Sequence, residues 1–310
     1  MPSRRIADAL AASLPATPWR TRFAPAPTGS LHLGHVVNAM YVWGIARAYG
    51  GRVVLRIEDH DRTRCRPEFE HALLDDLAWL GLDADIGARR SFADHPHPQR
   101  QSENHARYAS ALRHVAARAV VYACRCTRRD IARDAASSSS TEFAYAGTCR
   151  HKSVDPASTL SRRVVIPAGA EQFDDVLLGA HQQEPALQCG DLLLRDRNGN
   201  WTYQFAVTVD DHDQAIDVII RGEDLLPSVG RQRMLGRMIG RACPPSVLHH
   251  PLLIRPDGTK LSKSHGDTAI AALRERGATP AQLFGEVAVR VGLITAYRPI
   301  DVGALPSLFR

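Results

Sequence analysis

The chain has 310 residues, of which 44% are hydrophobic and 23% are charged, as is typical of a soluble globular protein. It has no apolar run long enough to cross a bilayer and no signal-peptide core, so we exclude a membrane protein and expect a cytoplasmic one. The formal net charge of +6 favours a polyanionic partner such as a nucleic acid, although many basic proteins bind none.

The first part of the chain alternates strand and helix patterns. Residues 20–24 predict a strand, and a turn rich in proline and glycine separates it from an apolar helix that begins near residue 33. A second strand over 52–57 precedes a helix over 67–81, which proline opens and glycine closes. This order predicts a parallel sheet with helices on both faces, an α/β architecture of Rossmann type.

The remainder is less regular. A helix is predicted over 100–119, and we interpret about 110–190 as an insertion between two halves of the sheet domain. Further strands are predicted at 191–194, 201–209, 216–220 and 251–254, a helix over 228–241, and two or three small helices after residue 264. Asp210–Asp213 is interpreted as a solvated turn between strands, and His249–His250 as a structural pair.

Lysine is scarce: the lysines are Lys152, Lys260 and Lys263, whereas 36 of the 39 basic residues are arginines. Lysine is a compact, mobile point charge that is well suited to reach phosphate oxygens from a loop. Lys260 and Lys263 lie three residues apart in the segment Lys-Leu-Ser-Lys-Ser. We therefore expect a phosphate-binding loop there, in preference to a solvated basic turn.

A His-Leu-Gly-His tetrad, His32 to His35, lies at the predicted start of the first helix, with Thr28 and Ser30 as N-cap candidates. Backbone N–H groups and the helix dipole favour an anion at such a position. Gly34 permits close approach of a nucleotide, and the two histidines share one face, from which they could donate hydrogen bonds to a phosphate. The alternative is a pair of surface histidines on an ordinary helix.

Together, these two segments resemble the HIGH and KMSKS signatures of class I aminoacyl-tRNA synthetases. Arg22-Phe-Ala-Pro and Arg56-Ile-Glu-Asp-His-Asp resemble the glutamyl and glutaminyl branch of that class, and the resemblance extends to Tyr203 and to Arg221-Gly-Glu-Asp. It implies ATP-dependent activation of glutamate. Mg²⁺ would arrive with the ATP, since no cage of protein ligands is evident.

The resemblance also implies roles for residues. Arg22 and Arg221 would clamp carboxylates, Glu58 would pair with the ammonium, and Tyr203, near the end of a strand, would add a hydroxyl contact. The alternative is a set of surface ion pairs. The glutamate-binding segment comprises Arg22, Phe23, Ala24, Pro25 and Ala26. The implied catalytic residues are His32, His35, Lys260 and Lys263, and the implied ATP-binding residues are His32, Gly34, His35 and Lys263.

Three of the six cysteines, Cys124, Cys126 and Cys149, are clustered in sequence, which in a cytosolic protein favours a metal site over a disulfide. Three thiolates and one further ligand would hold a structural Zn²⁺, with free thiols as the alternative. The family resemblance suggests Tyr145 as the fourth ligand, and His151 is chemically easier, so both stay open. The serine run Ser137–Ser140 predicts a flexible surface loop.

Only 46 residues follow Ser264, too few for the anticodon-reading region of full glutamyl-tRNA synthetases. The chain therefore resembles the short glutamyl-queuosine tRNA(Asp) branch, whose members attach glutamate to queuosine in the anticodon stem-loop of tRNA(Asp). We expect a monomer with four parts: a catalytic Rossmann first half (20–110), an inserted acceptor and zinc-binding subdomain (111–190), the second half with the lysine loop (191–264), and a small helical region (265–310).

Three alternatives remain. A truncated glutamyl-tRNA synthetase would charge a tRNA 3′ end. A small-molecule adenylyltransferase is the second alternative, and the cysteine cluster and the Arg-Ile-Glu-Asp segment argue against it. A catalytically silent paralog would only bind tRNA or glutamate, and the intact histidines and lysines disfavour it.

Overall fold

The computed structural model describes residues 2–134, 144–254 and 269–310. Its α-helices are α1 (Pro2–Ser13), α2 (Leu33–Ala48), α3 (Pro67–Trp79), α4 (His105–Ala116), α5 (Arg128–Asp134), α6 (Pro185–Cys189), α7 (Tyr203–Asp213), α8 (Val229–Ile239), α9 (Ile270–Glu275) and α10 (Pro280–Arg290). Its strands are β1 (Trp19–Phe23), β2 (Gly51–Leu55), β3 (Val121–Ala123), β4 (Arg162–Val164), β5 (Glu171–Asp175), β6 (Gly179–Gln183), β7 (Leu192–Arg195), β8 (Val218–Gly222) and β9 (Ser246–His250).

Two parallel strand pairs form the centre of the molecule. β1 pairs with β2 from Trp19↔Gly51 to Phe23↔Leu55, and β8 pairs with β9 in parallel. The two pairs are joined where the Asp217 N–H donates to the Arg20 carbonyl at 2.9 Å. The carboxyl ends of these strands therefore lie along one edge, which is where α/β proteins bind ligands.

Helix α2 is the crossover between β1 and β2, and it is apolar on nearly every face. A helix of that kind must be buried, and all residues from Ala39 to Ala46 are. Helix α10 and the 3₁₀ helix Val302–Phe309 cover α2 from outside. The 3₁₀ helix packs so closely on α2 that a Cβ on Gly44 would lie 2.3 Å from the Phe309 ring.

Between α4 and α7 the chain adds one separate sheet and also widens the sheet of β8 and β9. β3, β4 and β7 form an antiparallel sheet in the order β3-β4-β7. β5 and β6 form an antiparallel hairpin whose first strand lies parallel to β9 at Asp175↔Val247. A second apolar core lies between this region and the helices α4, α7 and α8. The α/β class with a parallel sheet is thus confirmed, and within the described residues no helix is both long and apolar enough to span a bilayer.

Three local predictions are wrong. The strand expected at 201–209 is helix α7, because packing between α4 and α8 overrides the strand propensity of its aromatic and β-branched residues. The strand expected at 251–254 lies at Ser246–His250 and ends before Pro251. Helix α2 is capped by His32, not by Thr28 or Ser30.

Candidate active site

Four side chains predicted to hold glutamate converge at the carboxyl edge of the central strands. Arg22 is on β1, Glu58 follows β2, Arg221 is on β8, and Tyr203 is on the first turn of α7, not at a strand end. Burial raises the pKa of Tyr203, and the charges of Arg221, Glu58 and Arg22 all act on that phenol. The four residues therefore surround one space.

Arg22 and Glu58 are held by a buried ion cluster. Arg22 Nε lies 3.2 Å from Asp211 Oδ1, and Arg56 donates to Asp211 and to Glu58 at 2.8 Å each. Burial alone would raise the pKa of Asp211, but Arg22 and Arg56 outweigh it and hold that pKa below its ordinary value. Asp210 is also buried, so the interpretation of Asp210–Asp213 as a solvated turn is wrong for its first two residues.

Arg221 is buried and only partly satisfied. Its Nε donates to His249 Nε2 at 3.0 Å, and its Nη1 donates to Gln232 Oε1 at 2.9 Å. Its Nη2 is buried and makes no hydrogen bond of normal geometry with the described residues, although the Tyr203 hydroxyl is close enough to interact with Arg221. Burial lowers the pKa of Arg221. A buried guanidinium nitrogen without a partner is costly, so the site favours an anionic ligand such as a carboxylate.

The segment Phe23–Ala26 extends β1 past its last residue. The Arg56 N–H donates to the Phe23 carbonyl, and the Glu58 N–H donates to the Pro25 carbonyl, both at 3.0 Å. The Phe23 ring packs on Trp43 in the core, so this residue can reach a ligand only through its backbone. Ala24 and Ala26 are half-buried at the same edge.

The two histidines of the tetrad cap α2 reciprocally. His32 Nδ1 accepts the Gly34 N–H, and His35 Nδ1 accepts the His32 N–H, both at 3.1 Å. In a neutral ring the proton must then be on Nε2, so both rings carry their N–H donor on the side away from the helix backbone. A Cβ on Gly34 would lie 2.9 Å from the His32 ring, so a side chain here would push that ring out of its capping position.

Lys260 and Lys263 lie outside the described residues, as does the Ser137–Ser140 run. The described chain on both sides of the lysine segment nevertheless contacts the region around α2. Ala269 forms an antiparallel bridge with His32, and the Ile270 N–H donates to the Leu31 carbonyl at 2.9 Å. On the other side, the His250 ring stacks on Tyr41 with centroids 5.0 Å apart. The described residues that flank the lysine segment, at His250 and at Ala269 and Ile270, therefore lie beside this helix.

The three clustered cysteines meet in space, with their Sγ atoms within 4.8 Å of one another. Tyr145 Oη lies 3.4 Å from Cys124 Sγ and 3.5 Å from Cys126 Sγ, and it accepts the Cys149 N–H at 2.9 Å. Ligands about 2.3 Å from a tetrahedral zinc ion are about 3.8 Å apart, so these four atoms fit that ion. His151 is exposed and is not part of the cluster, which favours Tyr145 as the fourth ligand.

Some residues of the site have no signal in the sequence. The partners of Arg221, namely His249, Gln232 and, behind His249, Asp175, come from β9, α8 and β5. A single sequence shows neither the register of these strands nor the face of α8, so nothing in the pattern could have assigned them to the site.

Comparison with known proteins agrees with this geometry. The model of the class I tRNA synthetases (E and Q), catalytic domain, matches residues 18–297. The glutamyl-Q tRNA(Asp) synthetase of Nitratidesulfovibrio vulgaris is 37% identical over 90% of this chain and 88% of its own. Glutamate–tRNA ligase 2 of Syntrophus aciditrophicus is 38% identical over 87% of this chain and 57% of its own.

Among solved structures, a glutamate tRNA ligase from Elizabethkingia meningosepticum in complex with its amino acid superimposes with a TM-score of 0.72 and 28% identity. The match covers 87% of this chain, which spans about 60% of the length of that ligase. The chain is therefore a member of the class I glutamyl and glutaminyl tRNA synthetases, and within them it belongs to the family of the glutamyl-Q tRNA(Asp) synthetases.

Proposed function

We propose that this protein activates L-glutamate with ATP and transfers the glutamyl group to the queuosine base in the anticodon loop of tRNA(Asp). The observation that carries the proposal is the buried Arg221, in one space with Glu58 and Tyr203, whose Nη2 makes no hydrogen bond of normal geometry in the described part of the chain. A ligand with a carboxylate and an ammonium group complements that space, because it offers an anion to Arg221 and a cation to Glu58.

In the first step, an oxygen of the glutamate α-carboxylate attacks the α-phosphorus of ATP, and pyrophosphate leaves. His32 and His35 donate their Nε2–H groups to the phosphoryl oxygens, where negative charge accumulates. Lys263, assisted by Lys260, neutralises the departing pyrophosphate, and Mg²⁺ enters with the ATP. The rings are held by backbone hydrogen bonds before the substrate arrives, so they need little reorganisation.

In the second step, a hydroxyl of the queuosine cyclopentene ring attacks the carbonyl carbon of the glutamyl-adenylate, and AMP leaves. The protein contributes mainly by holding the two reactants in position. A cavity of about 860 Å³ opens beside Pro27, and its lining combines the exposed Arg62, Arg66 and Arg90 with carboxylates such as Glu70 and Asp75. The exposed arginines could contact phosphates of a tRNA stem-loop.

A structural zinc ion, held by Cys124, Cys126, Cys149 and Tyr145, would stabilise the inserted subdomain, and Arg163 lies 3.9 Å above the Tyr145 ring. The four-part division at residues 110, 190 and 264, a monomeric state and a cytoplasmic location belong to the same proposal. The nearest alternative is charging of a tRNA 3′ end, since a glutamate–tRNA ligase is also among the relatives.

The test has two parts. Glutamate-dependent ATP–pyrophosphate exchange, measured without tRNA, should proceed with the wild-type protein. Radiolabelled glutamate should then be transferred to tRNA(Asp) that carries queuosine and not to the same tRNA with unmodified guanosine. Labelling should persist after removal of the 3′-terminal adenosine. Labelling that requires this adenosine and ignores queuosine would establish the alternative function.

A further inference from the structure

A line of buried hydrogen bonds supports Arg221 from behind. Three neighbouring strands supply it: Asp175 ends β5, His249 is on β9, and Arg221 is on β8 directly opposite His249 in the strand register. Asp175 Oδ2 lies 2.6 Å from His249 Nδ1, and His249 Nε2 lies 3.0 Å from Arg221 Nε. The side chains of Asp175 and His249 are fully buried.

The hydrogen bonds allow only one protonation state of His249. Arginine can only donate, so Nε2 must accept and cannot carry a proton. The ring proton is therefore on Nδ1, and it is donated to Asp175. Burial is the main reason that the pKa of His249 lies below its ordinary value, which agrees with a neutral ring.

The other face of Arg221 is held in a similar way. Its Nη1 donates to Gln232 Oε1, Gln232 Nε2 donates to Gln204 Oε1 at 2.8 Å, and Gln204 Nε2 donates to Ser228 Oγ at 2.9 Å. The side-chain amide of each glutamine is thus held in one orientation by its next hydrogen-bond partner. With Nε and Nη1 committed, Nη2 is the nitrogen for which residues 2–134, 144–254 and 269–310 provide no acceptor in normal hydrogen-bond geometry.

We infer that Asp175 and His249 are positioning residues for glutamate recognition: Asp175 fixes the His249 tautomer, His249 holds Arg221 Nε, and Arg221 Nη2 is thereby presented to a carboxylate of the substrate. The inference rests on the proposed function. If the pair served only the stability of the sheet, its substitution would not change the glutamate KM selectively.

The surroundings of Asp175 make one substitution informative. Its Oδ1 accepts the N–H groups of Leu177 and Leu178 at 3.0 Å each. In Asp175→Asn the amide oxygen must stay toward these donors, so the amide nitrogen faces His249 Nδ1. That nitrogen donates, which moves the ring proton to Nε2 and places it against the Arg221 Nε–H. Size is unchanged, but the hydrogen bond to Arg221 is lost.

The experiment measures glutamate-dependent ATP–pyrophosphate exchange, with the KM values of glutamate and ATP determined separately. Asp175→Asn should raise the glutamate KM about tenfold or more, as expected for a lost hydrogen bond to a charged group, with the ATP KM unchanged. Asp174→Asn, on the exposed face of the same strand, is the matched control and should change neither value.

A second pair of variants covers the case in which Asp175→Asn folds poorly. His249→Gln keeps an oxygen acceptor near the Nε2 position, whereas His249→Leu has a similar size and no acceptor. Glutamine should retain much of the glutamate affinity that leucine loses. In the double variant Asp175→Asn with His249→Gln, the aspartate change should add little, because no tautomer remains to be fixed.

Equal changes in both KM values, or equal glutamate KM values for His249→Gln and His249→Leu, would overturn the inference. A wild-type protein without any glutamate-dependent exchange would instead overturn the proposed function. The two failures are therefore distinguishable.

Discussion

At the scale of single residues, three buried arginines, Arg22, Arg56 and Arg221, carry positive charge in the proposed glutamate pocket. Arg22 and Arg56 share Asp211, and Arg56 also pairs with Glu58, so these charges compensate one another without a ligand. Arg221 has neutral partners only, His249 and Gln232. We therefore propose that its charge is the one in this group that an anionic substrate such as glutamate neutralises.

Replacement of Arg221 tests that argument. Arg221→Ala should raise the glutamate KM in the exchange assay by at least about thirtyfold, because truncating one partner of a buried charge pair costs roughly 2–5 kcal/mol. The ATP KM should change far less. Arg197→Ala, at an exposed arginine, is the control. Equal effects on the two substrates, in a variant with a normal melting temperature, would contradict the pocket assignment.

The lysine loop allows a prediction from sequence alone. Lys263→Ala should abolish ATP–pyrophosphate exchange, because neutralisation of the leaving group is lost, while the far-ultraviolet circular dichroism and melting temperature stay normal. Lys152→Ala removes an exposed lysine elsewhere and should be silent. Near-normal exchange by the Lys263 variant would remove its leaving-group role.

At the scale of elements, the sequence predicts a helix or strand well where local pattern and tertiary packing agree. β1, β2, α3 and α8 fall within one or two residues of expectation, since their apolar periodicity matches their buried faces. Helix α7 shows the opposite case. Its Tyr203–Val209 stretch alternates like a strand, and only the packing of α4 and α8 makes it helical.

The same limit applies to the site. Arg22, Glu58 and Arg221 were predicted from the resemblance of their segments to a known family, and the structure places them in or beside strands whose carboxyl ends share an edge. Asp211 was missed as an ion-pair partner because its segment was predicted to be a solvated turn. It lies instead on helix α7, which places its carboxylate next to Arg22 and Arg56. No local pattern encodes such a long-range pairing.

The junction of β9 with α2 predicts a dependence of stability on pH. Burial lowers the pKa of His250 from 6.5 to about 4. Between these two pH values the unfolded chain binds more protons than the folded one at this residue, so stability falls as the pH is lowered through that window. Above pH 6.5 this histidine is neutral in both states, so its burial takes nothing from stability. At pH 4 its burial lowers the free energy of unfolding by on the order of 3 kcal/mol.

Urea unfolding at several pH values checks this prediction. The free energy of unfolding of His250→Gln should fall less steeply between pH 6.5 and 4 than that of the wild type. His114→Gln, which replaces an exposed histidine, should follow the wild type. Parallel pH profiles for the wild type and the His250 variant would show that His250 is not the group responsible.

At the scale of the whole molecule, the described chain has separate apolar cores. One surrounds α2, a second lies among α4, α7 and α8, a third joins residues of β2, β5, β8 and β9, and a small fourth consists of the cysteine cluster with Tyr145 and its neighbours. The fourth contacts the rest of the chain where Gly190, with a φ of +62°, pairs with Tyr145. A Cβ on Gly190 would lie 1.9 Å from the Tyr145 carbonyl oxygen, so that junction requires glycine.

This separation predicts that zinc loss affects tRNA more than glutamate activation. Cys126→Ser should lower the bound zinc, measured by atomic emission, well below one ion per chain, because the small core depends on its metal. Exchange without tRNA should stay within about twofold of the wild type, since distant sites are nearly independent. Transfer to queuosine-containing tRNA(Asp) should fall strongly, because the insertion no longer presents an ordered surface.

Cys243→Ser, at an exposed free cysteine, is the matched control and should keep both zinc and transfer. If exchange and transfer fell in the same proportion as zinc, the cysteine cluster would have to support the central sheet itself. The cysteine core would then be energetically continuous with the core around α2, and its contact at Gly190 would carry stability into the proposed glutamate pocket. Retained exchange with lost transfer is the result that a separate cysteine core requires.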